Sequence, residues 1–283
     1  MTGTAIRIRR GFVDVGEGQA HYRTAGAGGT PLVLLHQASG SARMMEPLMR
    51  HLAQTRRTIA IDLAGNGDSS PAPMAEPTMT DYAGAVLAAL DGLGVERFDV
   101  YGFHAGASAG LEAAIARPDR VRRLVLDSLS LYDPAERAAM EARYLPRIAR
   151  HPHGLHLSAV WHYVRDTYLF WPWFAQDAAH RRAVDVPSTP ALHDKVVEVL
   201  KGFDGFEALY LAAFRHDKAA RLPLVRVPTL AVCGPTNSQF AALERVATLV
   251  PGCDRLAVPG TYDDANTAET ARLLAGWLDE PRA

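Results

Sequence analysis

Cysteine is nearly absent from the 283-residue chain, with only Cys233 and Cys253 present. Two thiols at the edges of apolar, strand-like runs make neither a disulfide framework nor a metal quartet, so two buried structural thiols are expected. A charge bias is lacking too. The chain has 30 Lys+Arg against 31 Asp+Glu, a formal net charge of −1, which supplies no basic field for nucleic acid and no cationic stripe for a membrane. No apolar run approaches bilayer-spanning length, and Met1 to Arg10 carries charge without an apolar leader segment; a cytoplasmic protein is the expectation. The histidines show no His-x-x-x-His spacing with a nearby acid, and the glycines give neither Gly-x-Gly-x-x-Gly nor a phosphate loop. No metal and no cofactor are therefore expected. Repeats, low-complexity tracts and convincing linkers are also missing.

What is there is apolar material, 48% of the chain, enough for one large domain with a sizeable core. Phe12 to Val15 and Gln19 to Arg23 flank Gly16-Glu17-Gly18 and read as a hairpin. Pro31 to Leu35, Arg57 to Ile61, Phe98 to Tyr101 and Arg123 to Leu126 are short buried strands. Helical patterns separate them, as over Tyr82 to Leu93. This alternation predicts a mostly parallel sheet covered on both faces. From about Ser128 to Leu222 the alternation stops in favour of helical, aromatic-rich sequence. It resumes at Thr229 to Cys233 and Asp254 to Val258, and ends in a helix from about Thr267 to Leu278. The spacing predicts an α/β core of residues 1–127 and 223–283, with a helical cap inserted at 128–222.

Within the core, Phe98-Asp99-Val100-Tyr101-Gly102-Phe103-His104-Ala105-Gly106 is a strand, a sharp turn and a small-residue helix. It resembles the nucleophile elbow of the α/β-hydrolase family, Gly-x-Ser-x-Gly, with His104 at the serine position. Other landmarks follow in the family's order: His36 after a buried strand, Asp62-x-x-Gly65-x-Gly67-x-Ser69, Arg117-Pro118-Asp119-Arg120-Val121, and Pro228 to Gly234. The resemblance covers nearly the whole chain and implies the α/β-hydrolase fold, a doubly wound sheet with an inserted helical cap.

Matched residue by residue, the resemblance implies an altered triad. His104 holds the nucleophile position, Asn237 the acid position, and Asp263, or Asp264 after a one-residue slip, the late histidine position. No histidine follows His216, so an acyl-serine route lacks its base. Gly106-Ala107-Ser108-Ala109-Gly110 also spells Gly-x-Ser-x-Gly, but Ser108 falls one turn into the helix rather than at the turn the motif requires. The resemblance further implies an oxyanion hole from the backbone N–H groups of Ala105 and Ala38, with Gln37 in place of the family's glycine.

The catalytic expectation is a hydrogen-bonded pair in which Asp263 orients His104 as general base. Around it, His36, Gln37, Asp127, Asn237, Trp161, His162 and Trp171 are expected to line the site. Asp127 reads either as a displaced acid or as a cap of the next helix, the cap being favoured. The cap's aromatics suggest an apolar small-molecule substrate with a carbonyl handle. The function read from these residues is cofactor-free acid/base catalysis with a lyase, cyclase, isomerase or water-activating hydrolase outcome. A catalytically silent ligand- or protein-binding module, and a serine esterase using Ser108, are the alternatives. No nucleic-acid or membrane partner is expected, and homodimerisation stays open.

Overall fold

The computed structural model describes residues 6–261 and 263–281, so the expected outer limits of the core, residues 1 and 283, lie outside the described residues. Eight strands form one sheet in the order β1-β2-β4-β3-β5-β6-β7-β8. They are β1 (Arg9–Val15), β2 (Gly18–Ala25), β3 (Leu32–Leu35), β4 (Thr58–Ile61), β5 (Phe98–Phe103), β6 (Val121–Asp127), β7 (Thr229–Cys233) and β8 (Asp254–Ala257). β1 and β2 are the antiparallel hairpin, and β2 joins β4 antiparallel; from β4 onward every pairing is parallel. The central strands β3 and β4 are buried at every position, as strands covered on both faces must be.

Five helices cover the two faces. On one side α1 (Glu46–Leu52) packs against α10 (Asp264–Asp279), with Leu48, Met49, Leu52, Leu274 and Leu278 in that layer. On the other, α2 (Met79–Gly92), α3 (Ala105–Ala116) and α9 (Leu243–Leu249) bury Tyr82, Val86, Leu111 and Val246. The chain runs from β3 outward to β4 and then crosses back to β5 on the other side of β3. The loops after β3 and β5 therefore diverge and leave a crevice at the strand C-termini, the usual ligand position in such sheets.

Between β6 and β7 lie α4 (Pro134–Arg143), α5 (Leu155–Leu169), α6 (Thr189–Lys201), α7 (Phe206–Arg215) and α8 (Lys218–Arg221). α5, α6 and α7 share a small core of Val160, Val164, Val196, Val199 and Phe206. α6 docks on the loop after β3: Lys195 Nζ donates to the Ser39 carbonyl at 2.9 Å, and Ser41 Oγ donates to the Glu198 carboxylate. At the other end Glu112 of α3, 2% exposed, accepts from His216 Nε2 at 2.7 Å and from both arms of Arg221 at 2.8 and 2.7 Å. Both cysteines are free thiols, Cys233 buried and Cys253 half-buried. Among the described residues no helix is long and apolar enough to cross a membrane.

Candidate functional site

The turn after β5 explains the glycines around it. His104 takes φ 50°, ψ −109°, a conformation that costs a non-glycine residue about 1–3 kcal/mol and persists only where the surroundings impose it. Here they do. A Cβ at Gly102 would lie 2.3 Å from the Gly106 carbonyl oxygen, and one at Gly106 would lie 2.2 Å from that of Leu35. Both flanks must be glycine for strand and helix to pass this closely, and the residue between them is lifted out of the sheet. Its backbone N–H is held by the Asp127 carbonyl at 3.0 Å.

The His104 side chain opens on a cavity of about 800 Å³ between the sheet and the inserted helices. Its ring meets Phe103 edge-on at 4.4 Å between centroids. Nε2 lies 3.4 Å from Asn237 Nδ2. The Asn237 amide is oriented from behind, because its Oδ1 accepts from Gln239 N at 2.9 Å; its NH₂ must then face the imidazole, which makes Nε2 the acceptor and Nδ1 the protonated nitrogen. Burial, then the Lys195 ammonium and the Arg182 guanidinium, push the His104 pKa down to about 3. The imidazole is neutral at physiological pH.

Two backbone donors sit beside it. Ala38 and Ala105 line the same cavity, and neither N–H has an acceptor among the described residues. For Ala105 this follows from its place at the first position of α3, where helical N–H groups have no intrahelical partner. The neighbouring Ser39 is held at φ 55°, and its hydroxyl lies 3.2 Å from that of Tyr210, which in turn is 3.4 Å from that of Tyr163.

Of the residues expected at the site, the structure brings His104, Ala105, Ala38, Gln37, Asn237 and Trp171 to the cavity wall. Asp263 is a correction: it does not pair with His104. It caps α10, its carboxylate accepting from Asn266 N at 2.8 Å and Asn266 Nδ2 at 2.7 Å, and it is exposed. Aspartate is among the best N-caps, and that local bond decides its orientation. Asp264 is 94% exposed and lies 3.2 Å from His51.

Four further expectations are corrected. His36 is buried behind the wall, with Nδ1 on the Gln37 carbonyl at 2.7 Å and Nε2 accepting from Leu63 N at 2.9 Å. Asp127 neither caps a helix nor reaches the cavity; it is buried against the hydroxyls of Tyr101 and Ser128, and burial, partly offset by those bonds, raises its pKa to about 6. The next helix, α4, is capped by Asp133 instead. Trp161 packs into the α5–α6 core, and His162 is exposed. Neither lines the cavity, whereas Tyr163 and Val164 of the same helix do.

Ser108 is fully buried in α3, and its Oγ is without a hydrogen-bond partner among the described residues. It has no base. The trio His21, Asp62 and Asp68 has the spacing of a metal site, but Asp62 is taken up by His21 Nδ1 at 2.8 Å and by the backbone N–H groups of Asp68 and Ala42, which fixes the loop after β4.

Sequence reasoning missed Lys195, Arg182, Tyr132, Tyr144 and Tyr210, all on the cavity wall. Lys195 carried a signal. It stands at helical spacing between Leu192 and Val199, an ammonium on the apolar stripe of α6. Tyr144 and Tyr210, 5.1 Å apart between ring centroids, are scattered along the sequence and meet only in the tertiary structure.

The comparisons agree with this architecture. A family model described as the alpha/beta hydrolase fold matches residues 30–153. A relative from Azorhizobium caulinodans with the provisional name carbamate hydrolase RutD is 30% identical over 229 residues, covering 77% of each chain. The 2-hydroxy-6-oxononadienedioate/2-hydroxy-6-oxononatrienedioate hydrolase 2 of Pseudomonas putida is 36% identical over 124 residues, 42% of each chain. Among solved structures, the enol-lactonase from Burkholderia xenovorans LB400 superposes with a TM-score of 0.73 at 18% identity, over 95% of this chain and 100% of that one. Elbow, sheet order and the extended match to a full-length relative lead to one assignment: the chain belongs to the α/β-hydrolase fold family.

Proposed function

We propose that the protein is a cofactor-free hydrolase of small carbonyl compounds in which His104, at the elbow, acts as general base toward water. The observation that carries this reading is the grouping on one cavity wall of a neutral imidazole and two backbone donors without acceptors, Ala38 and Ala105. In the proposed step, water attacks the carbonyl carbon as its proton passes to His104 Nε2, and the carbonyl oxygen becomes an oxyanion held by the two N–H groups. Collapse expels the leaving group, which takes the proton back from the imidazolium. Asn237 sets the tautomer, with Nε2 unprotonated, and its long 3.4 Å contact gives way to the water O–H as the proton is transferred. Relatives named as hydrolases support hydrolysis over lyase, cyclase or isomerase outcomes. The helices of residues 128–222 serve as a cap, and their aromatic wall suits an apolar substrate body.

One observation favours a second reading. His104 has no carboxylate partner among the described residues, and burial with two nearby cations makes it a weak base, as a silent ligand-binding member of the family would show. Hydrolysis of a panel of aryl esters, aryl carbamates and 1,5-diketones, with and without a fluorophosphonate probe, separates the readings. Turnover that resists the probe and survives Ser108→Ala supports His104 chemistry. No turnover of any member supports the silent module, and probe labelling lost in Ser108→Ala restores a serine esterase.

A further inference from the structure

The cavity wall carries three cations, Arg43, Lys195 and Arg182, and three carboxylates, Asp185, Asp194 and Glu198, but they are not paired one to one. Arg43 is matched by Asp194 at 3.0 Å and by Glu198 at 3.8 Å, and Glu198 also accepts from Ser41. Lys195 and Arg182 are held by other groups. The Lys195 ammonium donates to the Ser39 carbonyl at 2.9 Å and approaches Met44 Sδ at 3.3 Å; one of its three donors remains. Arg182 donates to the Thr167 carbonyl at 2.9 Å and reaches that of Thr236 at 3.4 Å, leaving most of its planar fork unused. Among the described residues neither cation has a carboxylate within 4.0 Å. The remaining acid on the wall, Asp185, is exposed and pairs with neither. Glu198 acts on Lys195 only from beyond contact distance; a cation facing a low-dielectric cavity without a carboxylate in contact is costly, and a ligand anion reduces that cost. Ser108 Oγ, fully buried on the same cavity wall, has no hydrogen-bond partner among the described residues. The wall also carries the rings of Tyr132, Tyr144, Tyr163 and Tyr210.

We infer that the substrate is a carboxylate, its anionic end held between Lys195 and Arg182 and its apolar body laid against the tyrosines, with its carbonyl at His104. The inference rests on the cavity being the substrate site but does not require His104 to be the base. It also gives the weak base a trigger. Burial first, and then Lys195 and Arg182, hold protons off His104; a carboxylate bound between the two cations offsets their part and raises the proton affinity of the imidazole when substrate is present.

Binding, rather than turnover, tests it. The probes are 5-oxo-5-phenylpentanoate and its primary amide, an aryl ketone with and without the charge, titrated by calorimetry into wild type, Lys195→Met, Arg182→Met and the charge-retaining Lys195→Arg. In wild type the acid binds about 10–100-fold more tightly than the amide, the span of one to two charge-assisted hydrogen bonds. Each Met variant loses most of that preference, Lys195→Arg keeps it, and the affinity for the amide moves little. If Lys195→Met fails to fold, Arg182→Met carries the comparison alone. His104→Ala retains the acid preference, so a protein without turnover still reports on the anion site. An acid that binds no better than the amide, or fails to bind wild type at millimolar concentration, overturns the inference, as does a preference that both Met variants keep.

Discussion

His104 is where the physical argument is most exposed to measurement, because its environment sets its protonation in a definite direction. Burial and two nearby cations lower its pKa to about 3. It is therefore neutral through the range where an unperturbed imidazole would titrate. In ¹⁵N-histidine NMR spectra, with His104 assigned through His104→Gln, the ring should stay neutral from pH 8 to pH 5 with Nδ1 carrying the proton; titration near 6.5 would contradict the assigned surroundings. Removing Lys195 removes a positive charge, so Lys195→Met should raise the His104 pKa. Asn237→Asp should raise it further, by about 1–3 pH units, since a carboxylate 3–4 Å from the ring stabilises the imidazolium. A second titration belongs to Lys195, whose pKa burial lowers to about 8, with Glu198 acting the other way. The ammonium is charged below that value, so affinity for a carboxylate ligand should fall as pH rises through about 8, and this alkaline limb should vanish in Lys195→Met. The elbow residue was legible in the sequence because two glycines at fixed spacing force one geometry. Asp263 was misread because its role depended on where a loop points, and a four-residue capping interaction decided that locally.

At the scale of elements, two junctions hold the site in place. The first is the contact of α3 with β3, where Gly106 lies against the Leu35 carbonyl. Gly106→Ala forces those backbones apart, and a loss of about 1–3 kcal/mol or more is expected from urea unfolding, as for overpacked cores generally. The second is Glu112, which ties α3 to His216 and α8. Burial alone would raise its pKa, yet hydrogen bonds from His216 and Arg221 bring it down to about 2 from 4.5. Glu112→Ala strands both partners and should cost about 3–5 kcal/mol at neutral pH. The sign with pH follows from linkage: the contribution is complete above about 4.5, where the unfolded carboxyl is ionised, and is lost as pH falls through about 2. Stability of wild type and variant should therefore converge in acid; a constant gap would show that the cost is one of packing. Strands and helices of the sheet were readable from their apolar runs, since their burial is set by neighbours in the same unit. Glu112 was not, because its partners come from more than a hundred residues away.

The whole molecule places a doubly wound sheet beneath a helical insertion, with the cavity where the strand order reverses. Its fold class was legible because strands and helices alternate along the chain and because the elbow and its companion landmarks resemble those of the α/β-hydrolase family. The charge of the cavity was not, because Lys195 and Arg182 come from the insertion and Ser39 and Met44 from the core; only packing reveals that, among the described residues, neither cation has a carboxylate within 4.0 Å. The account as a whole stands on His104 doing chemistry in this cavity. The measurement that tests it most directly is the turnover of His104→Ala, compared with wild type, on whichever ester, carbamate or diketone the wild type hydrolyses. The account predicts a fall of about 10²–10⁴ in kcat, the span of a positioned general base, with the acid-over-amide binding preference intact; a His104→Ala variant with unchanged kcat would contradict it.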